Sequence, residues 1–338
     1  MQATKLVIGV DEAGYGPSMG PLTICATAWR VPFDFQVESM SKLLEPEFLA
    51  KPIKPGSSHV PIGDSKKINK DRFGKQGLFL GAAFQWCELN GEFNGDLILD
   101  WNTVLADLAK QDWDRVQRIA WYAIEPSASQ QPTQDEQLKS IVADTAAFFA
   151  NASAKLRSFS TQLVGIQMRV LDEPEFNRQV DIIGNKSSLL SETSLNLVRD
   201  VIVGVVQPNE QIEVYCDKHG GRNRYQSILS HCFDQELFAI ILEGAECSRY
   251  ASWWNGSAMH IQFKVDGDSI FPSAAASVLA KSTREELMGR LNAFWKSKIA
   301  GGIEPTAGYY VDAMRFAGQI ESVATAMRLE RSLWWRKK

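Results

Sequence analysis

Acids stand at three places where a polypeptide can carry out metal-assisted chemistry. Asp11 and Glu12 follow the apolar run KLVIGV (residues 5–10), Asp217 closes QIEVYCD (211–217), and Asp266 and Asp268 lie at the end of SAMHIQFKVDGD (257–268). Each run is rich in β-branched and apolar residues and reads as a strand. The acids therefore fall at strand ends. If the three strands are neighbours, their carboxylates converge, and like charges so placed raise one another's pKa. The usual remedy is a hard divalent cation held through oxygen, such as Mg²⁺ or Mn²⁺. Two such ions about 4 Å apart clamp a phosphodiester, one activating water and the other stabilising the leaving oxygen. Taken one at a time, an acid after a strand is more often a solvated turn residue. Only the adjacency of the three strands makes a site, and spacing along the chain does not establish it.

The elements that must position these acids can be read coarsely. Residues 5–10 and PLTICATAWRV (21–31) read as neighbouring strands joined by a glycine-rich loop. The proline-bearing stretch 50–70 has no helical period and reads as a loop. A helix is predicted from Asp71 to Gln85, a strand over 163–172 and a helix over 188–206. Pro272 opens another long helical stretch. The tail from Val311 to Lys338 reads as helical and ends in the basic aromatic run SLWWRKK. Residues 91–155 differ in texture, carry no phosphate loop or metal cluster, and read as an insertion or lid. Strands interleaved with helices predict an α/β layered fold.

The totals narrow the function classes. The chain has 338 residues, 45% apolar and 22% charged, enough to bury a sizeable core. A net charge of −4 gives no global electrostatic case for nucleic acid, while leaving room for a local basic patch. The five cysteines, Cys25, Cys87, Cys216, Cys232 and Cys247, form no C-x-x-C pair and read as small buried hydrophobes of a reducing compartment. Acids interrupt the first apolar run too early for a signal peptide, and no stretch approaches the roughly 20 apolar residues of a membrane span. The expectation is a soluble, cytoplasmic protein with no membrane contact and no protein partner indicated.

Longer motifs carry a resemblance. DEAGYGPSMGP (11–21) resembles the DEAGRGP-x-x-GP signature of type 2 ribonucleases H, the ribonuclease HII family. GDSKKINK (63–70) resembles that family's DSKK loop, and VLDEPEFNRQVDIIGNKSSL (170–189) is loosely similar to the segment before its central helix. VYCD (214–217) stands where the family has its third catalytic acid. GDSIFPSAAASVLAKSTREE (267–286) resembles the GDS-x-x-P-x-x-AAS-x-x-AK-x-TRD segment, and AGYYVD (307–312) is similar to the late G-Y motif. The pieces follow the family's order across most of the chain.

The resemblance implies a ribonuclease H-like mixed sheet flanked by helices, with a helical C-terminal part. It implies a catalytic domain over residues 1–282, with 91–155 as an insertion of unknown role, and a helical extension over 283–338. It implies a metal-dependent endonuclease that hydrolyses the RNA strand of RNA–DNA hybrids, or cuts beside ribonucleotides embedded in DNA, with nucleic acid as partner and Mg²⁺ or Mn²⁺ as cofactor. Carried over, the catalytic and metal-holding acids are Asp11, Glu12, Asp217 and Asp268. Asp266 is the alternative to Asp268, because K-V-D at 264–266 also resembles the family's K-x-D. The loop Gly14-Tyr15-Gly16 would lie against sugar and phosphate, since its small residues let backbone N–H groups approach. Tyr309 would pack near the ribose whose 2′-OH distinguishes RNA from DNA. Lys66, Lys67 and Lys281 would face phosphate.

The chain also departs from the family. Tyr15 replaces an arginine, so a charged side-chain contact is lost or altered. DKHGGRNRY (217–225) places Arg222 and Arg224 beside the third acid, where they are candidates to replace that charge, and His219 reads as a proton donor, a phosphate contact or a turn residue. The alternative function is a nucleic-acid-binding protein on the same scaffold with weak, altered or no nuclease activity. A nuclease for DNA junctions or other structured substrates is a third option.

Overall fold

The computed structural model describes residues 3–70, 73–91, 100–123, 145–234 and 236–337. Its strands are β1 (Thr4–Ala13), β2 (Leu22–Pro32), β3 (Gln162–Leu171), β4 (Gln211–Asp217), β5 (Ala239–Glu243), β6 (Cys247–Trp254) and β7 (Ser257–Lys264). They form one mixed sheet in the order β3-β2-β1-β4-β7-β6-β5. At its centre β1, β4 and β7 run parallel as consecutive neighbours. β2 is antiparallel to both β1 and β3, and β5, β6 and β7 form an antiparallel meander. Leu6 to Val10 of β1 are all buried, as a strand covered on both faces requires.

The helices are α1 (Met40–Leu43), α2 (Ser65–Ile68), α3 (Gly74–Asn90), α4 (Trp101–Leu108), α5 (Trp113–Val116), α6 (Thr145–Ser158), α7 (Glu173–Ile183), α8 (Lys186–Val205), α9 (Gln226–Cys232), α10 (Phe271–Lys298) and α11 (Tyr310–Ala326). They cover both sheet faces. One core holds Trp29, Phe48, Phe84, Phe149, Phe271 and Trp295, the other Ile8, Phe176, Leu197, Tyr225 and Phe263. The mixed sheet flanked by helices is the fold class expected from the sequence. Among the described residues no helix is long and apolar enough to cross a membrane.

α10 is the element that matters most for the site. Pro272 sits in its first turn, where its missing N–H costs nothing. The run Ser273 to Ser277 is small and fully buried, so the helix axis comes close to the sheet. Thr27 Oγ1 donates to Pro272 O at 2.8 Å, Thr23 Oγ1 to Ala280 O at 2.8 Å and Ser273 Oγ to Tyr215 O at 3.0 Å, pinning α10 across β2 and β4. At Gly9 the approach is so close that a Cβ would stand 2.0 Å from the Pro272 carbonyl carbon. Gly9→Ala is therefore expected to destabilise the protein by about 2–3 kcal/mol through overpacking. Chemical denaturation measures this, and an unchanged midpoint would mean that α10 can step off β1 without loss.

Several details differ from the sequence reading. The helix expected from Val311 to Lys338 ends at Ala326. Arg328 adopts a left-handed φ of 56°, and Leu329 N–H turns back to Ala324 O at 2.9 Å, a helix-closing arrangement usually made by glycine. The strand expected over 257–268 stops at Lys264, and both following acids lie in a turn. β5 and β6 add two strands that the sequence reading did not anticipate. Within 91–155, residues 92–99 and 124–144 lie outside the described residues. The described parts pack Trp101, Leu105, Trp113, Trp121, Phe149 and Leu156 into the same core as α10.

Candidate active site

The three strand ends do lie side by side. Val10 pairs with Cys216 in the parallel β1–β4 ladder, and Asp11 and Asp217 are the next residue on each strand. Neighbouring strands run about 4.8 Å apart, and residues opposite one another point to the same face. Asp11 and Asp217 thus share the face that α10 covers. Glu12, one residue on, leaves β1 on the other face. Beyond β7, a tight turn folds back over the end of β4. Gly267 N–H donates to Asp217 Oδ1 at 3.1 Å, and a Cβ on Gly267 would stand 2.9 Å from Asp217 Cα.

The electrostatics show what this costs. Asp11 is 8% exposed, and burial pushes its carboxyl up to about 6 against the opposing effects of Lys281, Ser277 and the Glu12 N–H. Burial, followed by the charges of Asp11 and Asp217, pushes Glu12 up to about 8. Asp268 is half-buried and raised, first by burial, then by Asp64, with Lys281 opposing and Asp217 adding to the rise. Asp266 is exposed and adopts a left-handed φ of 55°. Asp268 interacts electrostatically with Asp217 and Lys281.

Lys281 projects from α10 and faces Asp11, Glu12 and Asp268 together. Its ammonium donates to Ser65 Oγ, which lies 3.3 Å from Ser277 Oγ. Ser65 begins α2, whose N-cap is Asp64, accepting from Lys66 N–H at 2.9 Å. The loop 63–67 is thereby docked on α10, and it brings Asp64 close to the acids, a residue not among the sequence candidates. Lys66 is exposed and interacts electrostatically with Asp268. Lys67 is exposed and pairs with Asp64 at 3.5 Å.

On the opposite flank, Gly14 to Gly20 form the glycine-rich loop. Gly14 has a φ of 90°, and a Cβ there would collide with Pro21 O at 2.4 Å, so only glycine fits. Gly308 O accepts from Ser18 N–H at 2.8 Å and Met19 N–H at 3.2 Å, which brings the Tyr309 ring beside Gly16. Tyr309 is 61% exposed. Tyr15 is half-buried, interacts with Ser187, and lies beneath the Lys186 ammonium at 5.2 Å from its ring centre. Its hydroxyl would meet a Cβ on Gly220 at 3.1 Å, so it packs on the turn that follows β4.

The arginines of that turn divide. Arg222 donates to Ser188 Oγ at 3.1 Å and lies over the Tyr225 ring. Arg224 is exposed and 3.8 Å from Glu243. His219 is buried, with Nδ1 3.1 Å from Ser191 Oγ, and burial and Arg222 hold it down to about 3. It is a buried core residue and not the exposed turn histidine its sequence context suggests.

The sequence reading missed what lies under the loop. Arg336 is 2% exposed and donates to Gly14 O at 2.6 Å, Tyr15 O at 3.0 Å and Gly20 O at 3.3 Å. Glu173 is fully buried, accepts from Gly20 N–H at 3.0 Å and from the Tyr122 hydroxyl at 3.1 Å, and is raised by burial. Arg284, also buried, donates to Ala307 O at 2.9 Å. The only sequence signal was the basic WWRKK run, which as a helix would have placed its tryptophans, not its arginine, inside.

Carboxylate oxygens crowded at a strand end, buried and raised in pKa, are a donor set suited to a hard divalent cation. Among the described residues, no three His, Cys, Asp or Glu side chains stand close enough to enclose an ion as placed. The fit lies in donor type and unrelieved charge.

No protein-family model and no curated protein matches the sequence. Among solved structures, the chain is similar to ribonuclease H2 from Pyrococcus horikoshii OT3, at 14% identity and a TM-score of 0.41, covering 97% of this chain and 92% of that one. It is similar to RNase HII from Archaeoglobus fulgidus, solved in complex with PCNA, at 14% identity and 0.40, covering 98% and 94%. Bst-RNase HIII in complex with Mn²⁺ aligns at 12% identity and 0.42, over 100% of this chain and 67% of that one.

Proposed function

We propose that this protein is a divalent-cation-dependent endonuclease that hydrolyses the RNA strand of RNA–DNA hybrids or cuts beside ribonucleotides embedded in duplex DNA. One observation carries the reading. Asp11, Glu12 and Asp217 end adjacent parallel strands, with Asp268 interacting electrostatically across the turn, and burial holds Asp11 at about 6 and Glu12 at about 8. A protein that only bound polyanions would gain nothing from such a cluster.

In this reading Asp11, Glu12, Asp217 and Asp268 hold Mg²⁺ or Mn²⁺. When bound, the cation supplies Lewis acidity at a phosphoryl oxygen and a more acidic water. Lys281 offsets part of the carboxylate charge and faces the phosphate side. Gly14, Tyr15 and Gly16 present backbone N–H groups to the nucleic-acid backbone. Tyr309 stacks on the sugar that carries the 2′-OH, the group that separates RNA from DNA. Lys66 and Lys67, exposed at the rim, contact flanking phosphates, and Arg222 and Arg224 do so on the other flank. Such contacts weaken steeply with salt.

The test is cleavage of three labelled duplexes, each with Mg²⁺ or Mn²⁺: DNA with one embedded ribonucleotide, a full RNA–DNA hybrid, and plain DNA. Cutting of one or both ribonucleotide-containing duplexes, with plain DNA intact, is the expected result. Tight binding without cleavage of any duplex would instead assign the chain to the binding-only reading.

A further inference from the structure

The segment after α11 returns to the glycine-rich loop and fastens beneath it. Asn177 of α7 holds the segment in place. Its Nδ2 donates to Ser332 O and Trp335 O, both at 2.9 Å, and its Oδ1 accepts from Lys337 N–H at 2.7 Å. Phe176, the preceding residue on α7, lies 4.0 Å beneath the Arg336 guanidinium. The guanidinium is thus sandwiched between α7 and the loop, with its fork fixed by stacking.

From there Arg336 gathers loop carbonyls. Its Nη1 donates to Gly14 O at 2.6 Å and Gly20 O at 3.3 Å, and its Nη2 to Tyr15 O at 3.0 Å. Its backbone N–H donates to Ser18 O at 2.8 Å. Four carbonyls of one short loop therefore point inward to one residue. In a trans peptide the C=O and N–H point in opposite directions. Turning Gly14 O and Tyr15 O toward Arg336 therefore turns the N–H groups of Tyr15 and Gly16 away from it. Among the described residues neither N–H has a protein acceptor. Gly16 is exposed and borders Tyr309, on the rim of the acid cluster.

We propose that Arg336 is a positioning residue. It holds the loop so that the Tyr15 and Gly16 N–H groups form a preset pair of donors for a phosphodiester oxygen of the nucleic acid. This rests on the nuclease reading above and deepens it. Beside the arginines after β4, a charge below the loop thus acts on the substrate through the backbone, at the position where the side chain of residue 15 carries none. Preset donors of this kind lose little on binding, which is what makes them effective.

The test uses the full chain with Arg336→Lys, which keeps a charge but cannot donate to the Gly14 and Tyr15 carbonyls from one planar fork. KM for the duplex with one ribonucleotide is expected to rise about tenfold, the effect of one poorly placed buried hydrogen-bonding group, with kcat changed much less. Hydrogen exchange at Ser18 and Met19 is expected to quicken in the free protein, while exchange in β1 and β4 stays as in the parent. Asn177→Ala, which frees the segment and leaves the guanidinium intact, should shift KM the same way and serves if Arg336→Lys does not fold. If the parent cuts normally and the folded variants keep its KM, even with lowered melting temperatures, Arg336 is merely structural and the proposal is overturned alone. A parent that neither binds nor cuts any duplex overturns the nuclease reading, and this proposal with it.

Discussion

Replacing Asp11 by asparagine is expected to lower Mg²⁺- or Mn²⁺-dependent cleavage by at least about a thousandfold, or about 4 kcal/mol of transition-state stabilisation. The side chain keeps its shape, and its Oδ1 can still accept from Glu12 N–H, a bond of 2.8 Å. What it loses is the negative charge that a hard cation requires. The same change should leave the metal-free protein as stable as the parent or more so. Asp11 raises Glu12 directly, so neutralising it relieves a repulsion that folding imposes. Both quantities are measurable on one preparation, by single-turnover cleavage and by thermal melting in chelator. A comparable loss of activity that came with a collapse of the melting transition would place Asp11 in packing and not in chemistry.

The second large effect is a dependence on pH that runs in opposite directions without and with metal. Glu12 has an ordinary value of 4.5 and is held up to about 8 in the folded chain, and Asp11 rises from 3.8 to about 6. Between the unfolded and folded values the folded state binds more protons than the unfolded one. Metal-free stability therefore falls as pH rises, from about 4 to 6 through Asp11 and from about 4.5 to 8 through Glu12. A cation needs the deprotonated carboxylates, so its binding releases protons, and its affinity should climb by about tenfold per pH unit where one proton is displaced. Mn²⁺ calorimetry at pH 6, 7 and 8, in buffers of different ionisation heat, reads both the climb and the proton release. Glu12→Gln should flatten the climb and weaken binding at pH 8, while removing the Glu12 share of the stability loss. Binding that is equally strong at all three pH values would show that Glu12 is not a ligand.

Much of the candidate site was legible because its parts are local. Asp11 and Glu12 are fixed by the end of one apolar run, and Asp217 by another. A strand's two-residue period then decides which side chain shares a face with which. Lys281 was legible as a member of an alanine- and serine-rich helical segment that Pro272 opens. The turn acids were only half legible. A left-handed Asp266 reverses the chain before Asp268, and no strand pattern signals that a non-glycine residue will adopt such a φ. His219 was ambiguous for a related reason. The polar, glycine-rich DKHGGRNRY reads as an exposed turn, yet the imidazole is tucked against Ser191, Tyr225 and Phe263.

Residue types and their order along the chain were enough to expect an α/β sheet, acids at the ends of two strands and just beyond a third, and a loop of small residues. Tertiary structure decided that β1, β4 and β7 are neighbours, which sets the ends of three strands distant in sequence side by side. It also decided that the tail leaves its helix at Arg328 and delivers Arg336 beneath Gly14, two positions 322 residues apart in sequence. The physical reason is the range of the interactions. Strand and helix periods arise from each residue's own backbone and nearest neighbours. Strand order and a buried guanidinium are paid for by contacts between distant segments, which exist only once the chain has closed on itself.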